Sequence, residues 1–317
     1  MADEPYHPHD RFFKETFSQT DITSDFLQVY LPDPIKAKLD LNSLQREADS
    51  YTDEQLDEHF ADLVFSATFD GQPIRVALLL EHKSYTEEHI HFQLNRYMLN
   101  LWEDQIKQKQ LLTPVLPIVI YHGKRSWKKY PYSQYFNRLG AELLPYQPAF
   151  DYVLIDLSIA AERLSQFKTD YARLTTLLLH NSRRQTALIQ ALTDFANSLQ
   201  QMADSEAGRR YVETAFVYVY WTTDLTKTEV IAIFQRISAK TGIVAMSTAQ
   251  RLINEGIEQG IEQGIEQGIE QGRREAIERG VRGMLKLNMD AATMAAAFEL
   301  PLADVNQIID KISNGQR

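Results

Sequence analysis

The dipeptide Asp70-Gly71 constrains this chain more than any other feature. Residues 61–83 read ADLVFSATFDGQPIRVALLLEHK. Strand-forming residues lie on both sides of the strongest short-range hairpin signal, a two-residue loop with positive φ at both positions. With those two residues as the loop, Phe69 faces Gln72 and Asp62 faces Leu79. Side chains alternate at period two, so Leu79, Glu81 and Lys83 share a face with Asp62. Glu81 then lies diagonal to Asp62, where two carboxylates can share one hard cation, and Lys83 stands one step further along the row. A slip of one residue or a bulge would scatter the cluster, so the reading depends on register.

Such a cluster suits phosphodiester hydrolysis. Magnesium is commonly held by one or two carboxylates together with substrate phosphate, and it polarises the phosphoryl oxygen and orients a water. A neighbouring lysine can position that water or help deprotonate it. The competing reading makes Glu81-His82-Lys83 only the solvated end of a buried strand. The continuous apolar run over residues 76–80 suits a strand covered on both faces, and charges that emerge directly from such a strand are held rigidly at a sheet edge.

These residues resemble a known family. An early acidic helix, an Asp on one strand, Glu-x-Lys on the next and a following helix is the order of the PD-(D/E)xK nuclease superfamily. More narrowly, the chain is similar to the Rpn recombination-promoting nucleases, a family also labelled "putative transposase". The matching passages are HDRFFK at residues 9–14, ADLV at 61–64, LEHKS at 80–84 and LPIVIYHG at 116–123. Further on, MSTA at 246–249 precedes LINEG at 252–256 and a glycine-spaced repeat. Glutamine is frequent in that family where this chain has Lys83, and asparagine where it has His122.

The resemblance implies an α/β fold: a PD-(D/E)xK restriction-endonuclease-like core, a mixed sheet flanked by helices, followed by a mostly helical C-terminal region. It implies a magnesium-dependent (Mg2+, with Mn2+ as substitute) DNA endonuclease linked to recombination or mobile-element transfer, with Asp62, Glu81 and Lys83 at its centre; the absence of a signal-like or membrane-spanning run in the sequence makes a soluble, cytoplasmic protein the expectation. Glu15, on the first expected helix, stands where some superfamily members carry a further acidic metal ligand; an exposed helix charge beside Lys14 is the competing reading. Gln93 and Tyr97, four residues apart, share a helix face after a capping-box pair, Ser84 and Glu87, and an apolar stripe of Ile90, Leu94 and Leu101. In the superfamily such polar positions reach the scissile phosphate or its water; otherwise they decorate an ordinary amphipathic helix.

The formal net charge is -10, whereas phosphate contacts by Lys and Arg usually dominate DNA affinity. Distribution resolves the conflict. Residues 105–141 contain no Asp or Glu but hold Lys107, Lys109, Lys124, Arg125, Lys128, Lys129 and Arg138, interleaved with aromatics from Tyr121 to Phe136. Lys124, Arg125, Lys128 and Lys129 are therefore candidates to track a DNA backbone, with aromatics available to stack on an unpaired base; a solvated loop with aromatic anchors is the alternative. The absence of cysteine excludes disulfides, thiolate catalysis and cysteine-zinc sites. No apolar run approaches the ~20 residues of a membrane span.

Four segments are expected: a nuclease core over 1–158, a helical extension over 159–249, a repeat helix or tether over 250–280, and a small helix-turn-helix-like unit over 281–317. Gly-Ile-Glu-Gln recurs at period four through Gly272. Period four exceeds a helical turn, so the isoleucine row drifts ~40° per repeat, and each internal glycine costs ~1 kcal/mol relative to alanine. An isolated helix of this kind is weak, and a second copy would stabilise it, making a homo-oligomer; a flexible tether is the alternative. The function expected is thus a DNA endonuclease, the alternative a catalytically degenerate nuclease-fold DNA-binding or assembly protein.

Overall fold

A computed structural model describes residues 8–47, 61–81, 88–123, 125–136, 140 and 142–314. The chain forms two compact units, Met1–Ala249 and Gln250–Arg317.

In the first unit, helices α1 (Pro8–Phe17), α2 (Thr20–Tyr30) and the single turn α3 (Asp33–Lys36) precede strand β1 (Leu39–Arg46). The hairpin β2 (Ala61–Phe69) and β3 (Gln72–Glu81) follows, then helix α4 (Ile90–Lys107), β4 (Val115–Tyr121) and β5 (Val153–Asp156). The strands form one sheet in chain order. Pairing is antiparallel from β1 to β3 and parallel from β3 to β5. The parallel step requires a crossover, which α4 supplies.

Asp70 and Gly71 have φ of 51° and 77°, the positive pair of a primed turn whose twist matches the flanking strands. The register is the one the alternation predicts: Phe69 pairs with Gln72, Asp62 with Leu79 and Ala61 with Leu80. Beyond the hairpin, Leu79 pairs with Val119 and Glu81 with Tyr121. The expected capping pair, Ser84 and Glu87, lies outside the described residues.

β1 was not expected as a strand. Leu39 and Leu41 alternate, but the register shifts between Asp40 and Gln45, so Leu44 breaks the period-two pattern that signals a strand.

One face of the sheet is covered by α4. Val64 of β2, Val119 and Tyr121 of β4 and Tyr152 are buried in one cluster with Ile90, Leu94, Tyr97 and Leu101 of the helix. α1 and α2 contribute Phe12, Phe13, Phe17 and Phe26, all essentially fully buried.

Helices α5 (Asp170–His180), α6 (Gln185–Asp194), α7 (Ala196–Met202), α8 (Glu206–Thr222) and α9 (Lys227–Ile237) follow and belong to the same compact unit as the sheet. Phe12 stacks on Tyr218 of α8 with ring centroids 4.1 Å apart. Asp25, buried on α2, accepts hydrogen bonds from the backbone N–H groups of Lys168 (3.0 Å) and Thr169 (2.8 Å) and from the Thr169 hydroxyl (2.8 Å).

α10 (Ala239–Lys286) contains the glycine-spaced repeat. In the second unit, α11 (Ala291–Phe298) and α12 (Leu302–Asn314) close over Val281, Met294 and Val305, and the turn between them carries Glu299 at φ 53°. Among the described residues no helix is long and apolar enough to cross a membrane.

Asp25→Ala should destabilise the first unit by roughly 1–3 kcal/mol, because the buried carboxylate accepts three part-buried hydrogen bonds, from the Lys168 and Thr169 N–H groups and the Thr169 hydroxyl, that would lose their acceptor. Chemical denaturation of the full chain measures this, and a loss below about 0.5 kcal/mol would contradict it.

Candidate functional site

The hairpin register decides where the acidic positions fall. Directly paired residues and residues two apart along a strand occupy the same face of a sheet. Position 62 therefore shares its face with Val64, and position 81 with its partner Tyr121. Val64 and Tyr121 both belong to the cluster packed against α4. Positions 62 and 81 thus lie on the α4 face, at the end of the hairpin away from the Asp70-Gly71 turn. The side chains of Asp62 and Glu81, and the whole of Lys83 and Lys124, lie outside the described residues.

α4 brings its own polar groups to this face. Tyr97 is buried in the shared cluster. Gln93, one turn earlier, is half-buried, and its Oε1 is buried without a hydrogen-bond partner. Most buried acceptors are satisfied, so this one marks a position suited to a water or a ligand donor. Among the described residues no three His, Asp or Glu side chains gather as a metal cluster.

Glu15 is engaged elsewhere. Its Oε1 accepts from Arg11 Nε at 2.7 Å and its Oε2 from the Thr214 hydroxyl at 2.7 Å, so the carboxylate ties α1 to α8. His122 is buried, with Nδ1 3.3 Å from Ser182 Oγ and its ring 4.7 Å from that of His9.

The basic connection after β4 is anchored rather than loose. Asp156, at the end of β5, accepts through Oδ2 from the Ser126 hydroxyl (2.8 Å) and the Trp127 backbone N–H (2.9 Å). Trp127 is buried edge-on to Tyr121, 5.1 Å between centroids. Lys129 is held by an ion pair with Asp151 at 2.6 Å and donates to the Tyr152 carbonyl. Of the four basic candidates, Arg125 and Lys128 are exposed in the structure and Lys129 is half-buried. Burial pushes the Asp151 carboxyl up, but the Lys129 ammonium and the Tyr152 N–H outweigh it and leave the carboxyl below its ordinary value.

His91 is the residue the sequence reading missed. It follows Ile90 on the apolar side of α4 and is 1% exposed, edge-on to Tyr132, Phe150 and Tyr152. Its Nδ1 lies 3.2 Å from the Tyr135 hydroxyl, and its Nε2 is buried without a partner. Burial lowers its pKa; Asp151 opposes the shift and Lys129 adds to it. Its signal in the sequence was its place beside Ile90, within a stripe read only for its aliphatic members.

The fold and its site define an α/β protein with a mixed five-stranded sheet among the described residues, two acidic positions at the open end of the β2/β3 hairpin, and an aromatic, basic connection beside them. A family model described as "Putative transposase, YhgA-like" matches residues 7–210, and the chain belongs to that family, the family of the Rpn proteins. The chain is 29% identical over 262 residues to recombination-promoting nuclease RpnA of Escherichia coli K12, covering 78% of this chain and 84% of the relative. It is 32% identical over 128 residues to recombination-promoting nuclease RpnD of E. coli O157:H7, covering 40% and 48%. A protein named inactive recombination-promoting nuclease-like protein RpnE, from E. coli K12, is 32% identical over 128 residues, covering 40% of this chain and 42% of the relative. No solved structure matches.

Because His91 is held below the ordinary histidine value of 6.5, the unfolded chain takes up this proton first as the pH falls. His91 should therefore add no pH dependence well above pH 6.5 and should destabilise the fold progressively as the pH drops through and below that value. His91→Phe should flatten that part of a stability-against-pH curve. An unchanged curve would show that His91 titrates as it does in the unfolded chain.

Proposed function

We propose that this protein is a metal-dependent DNA endonuclease with a PD-(D/E)xK core, acting in recombination or mobile-element transfer in the cytoplasm. The observation that carries the reading is the β2/β3 register, which puts positions 62 and 81 on the α4-covered face. Family membership and the names of the relatives support it.

The donor set fits a hard divalent cation: two carboxylates, no cysteine anywhere in the chain, and the unpartnered Gln93 Oε1 on the neighbouring helix. Asp62 and Glu81 would hold magnesium, with manganese as a substitute. The bound ion would polarise the phosphoryl oxygen and neutralise developing charge. Lys83 would orient the attacking water and stabilise negative charge on it. Gln93 would accept a hydrogen bond from that water, and Tyr97 would donate to a phosphate oxygen. Glu15 would join as a ligand only by releasing Arg11 and Thr214. Lys124, Arg125 and Lys128 would meet the DNA backbone, with Lys129 contributing through the rim of the aromatic connection.

Cleavage of supercoiled plasmid tests the reading. Cutting should require magnesium, stop with EDTA, and fall about 100-fold or more in Glu81→Ala, the scale of removing one group that meets charge in a transition state. DNA affinity measured in EDTA should stay within a few-fold. Wild-type cutting by the variant would remove Glu81 from the site. A second reading has specific support, since a relative 32% identical over 128 residues is named inactive: tight DNA binding with no cutting in any metal would identify a degenerate nuclease fold.

The repeat supplies self-association in this reading. Ile257, Ile261, Ile265 and Ile269 are 55–67% exposed, and a Cβ added at Gly256, Gly260, Gly264, Gly268 or Gly272 would meet nothing within 4 Å. That row offers close backbone approach to a second copy. Light scattering of the full chain should give a multiple of the single-chain mass, reduced by Ile261→Glu with Ile265→Glu. The same number of chains per particle in both proteins, or in a chain lacking residues 250–317, would rule out association through the repeat.

A further inference from the structure

The connection between β4 and β5 builds two adjoining pockets, and the chemistry of their walls is specific. The larger, about 510 Å³, is enclosed by Tyr130, Tyr132 and Phe136 on the outgoing chain and Phe150 on the returning one, with Ser133 and Gln147 as neutral polar groups. The smaller, about 390 Å³, lies on the other side of Tyr130 and is lined by His91, Trp127, Tyr135 and Tyr152, with Glu88 and Lys128 also on its wall. Both fall in the range of small-ligand sites. Tyr130 lines both pockets and is 47% exposed, and the Lys128 ammonium lies 5.4 Å from its ring centroid.

Three features separate this arrangement from ordinary packing. His91, almost wholly buried on the wall of the smaller pocket, keeps an unpartnered Nε2. The charged groups of the larger pocket, Lys129 and Asp151, are paired with each other at 2.6 Å, so its interior suits a neutral planar group. Arg125 and Lys128 are exposed outside it, where an anion would be met. A flat uncharged ring inside with phosphate outside is the chemistry of a nucleotide whose base has left its stack.

We propose that this pocket pair takes a single unpaired base of bound DNA, stacked on Tyr130, with its flanking phosphates on Lys128 and Arg125; the inference rests on the chain being a DNA-binding protein and not on its cutting. A free nucleotide shares this chemistry. The DNA strand is favoured because the pockets sit in the same basic connection that the proposed function sets against a DNA backbone, so a bound strand brings the base and its phosphates together.

The test uses the full chain in EDTA, so that cutting plays no part. Fluorescence anisotropy would follow three labelled duplexes: fully paired, with one unpaired base, and with an abasic residue at that position. The unpaired base should bind about 5- to 100-fold tighter than its abasic counterpart, the range of one base–aromatic stack. Tyr130→Ala should abolish that ratio and Tyr130→Phe should keep it. Lys128→Ala should weaken all three duplexes by a similar factor. Equal affinity for base and abasic site, or a ratio unchanged in Tyr130→Ala, overturns the proposal. Competition by a nucleoside monophosphate as strong as that of the oligonucleotide replaces the strand with a free nucleotide and also overturns it. A base preference in a protein that cuts no plasmid leaves the pocket standing and removes the nuclease reading. Cutting without base preference does the reverse, and failure to bind any duplex removes both.

Discussion

The register of the β2/β3 hairpin is the constraint on which the rest of this structure depends. It is set at one end by Asp70 and Gly71, both at positive φ, and enforced along its length by burial. Val64 is in the core beneath α4 while Leu63 and Phe65 are buried on the opposite face, so a slip would force each set into a core shaped for the other. A one-residue slip would send Val64 to the opposite face together with position 62. The apolar residue that holds the core is therefore also what holds the acidic position on the α4 face. The parallel pairing of β3 with β4 carries the same register onward: Glu81 meets Tyr121, Tyr121 meets Trp127, and Trp127 is where the aromatic connection begins.

What the sequence made legible follows from how local each signal is. The turn needs two residues, the alternation of β2 needs nine, and the apolar runs of β3 and β4 are continuous, so these elements were readable from neighbours alone. β1 was not, because a register shift after Leu41 puts Leu44 out of phase. At the site, the positions of Asp62 and Glu81 followed from register, whereas the state of Glu15 depended on Thr214, 199 residues away. The acid-free run over 105–141 was visible as composition, but the pairing of Lys129 with Asp151 was not. That pairing sets Lys129 together with Asp151 in the wall of a pocket. His91 was hidden for the same reason: its neighbours Phe150 and Tyr152 come from the far side of the connection.

Long-range ties also explain why helices α5 to α9 belong with the sheet. Asp25 on α2 caps the segment leading into α5 with three hydrogen bonds. Glu15 bridges α1 to α8, and His9 shares a hydrogen bond with the Tyr218 hydroxyl at 3.0 Å. Burial raises the Tyr218 hydroxyl pKa, which keeps it neutral and able to donate throughout the physiological range. α1 is thereby clamped between β2 and α8. Chain order separates the sheet from these helices, but the polar contacts between them do not.

The repeat in α10 obeys different physics from everything before it. In the first unit, helices are held by an apolar stripe pressed on a core, and stability comes mostly from that packing rather than from propensity. Over residues 256–272 the isoleucines face solvent and the glycines have open space where a Cβ would stand, so neither packing nor propensity supports the helix there. Period four also makes the isoleucine row wind slowly around the axis rather than run straight. Any surface that covers the whole row must wind with it, which a second helix of the same repeat does by construction and a flat partner does not.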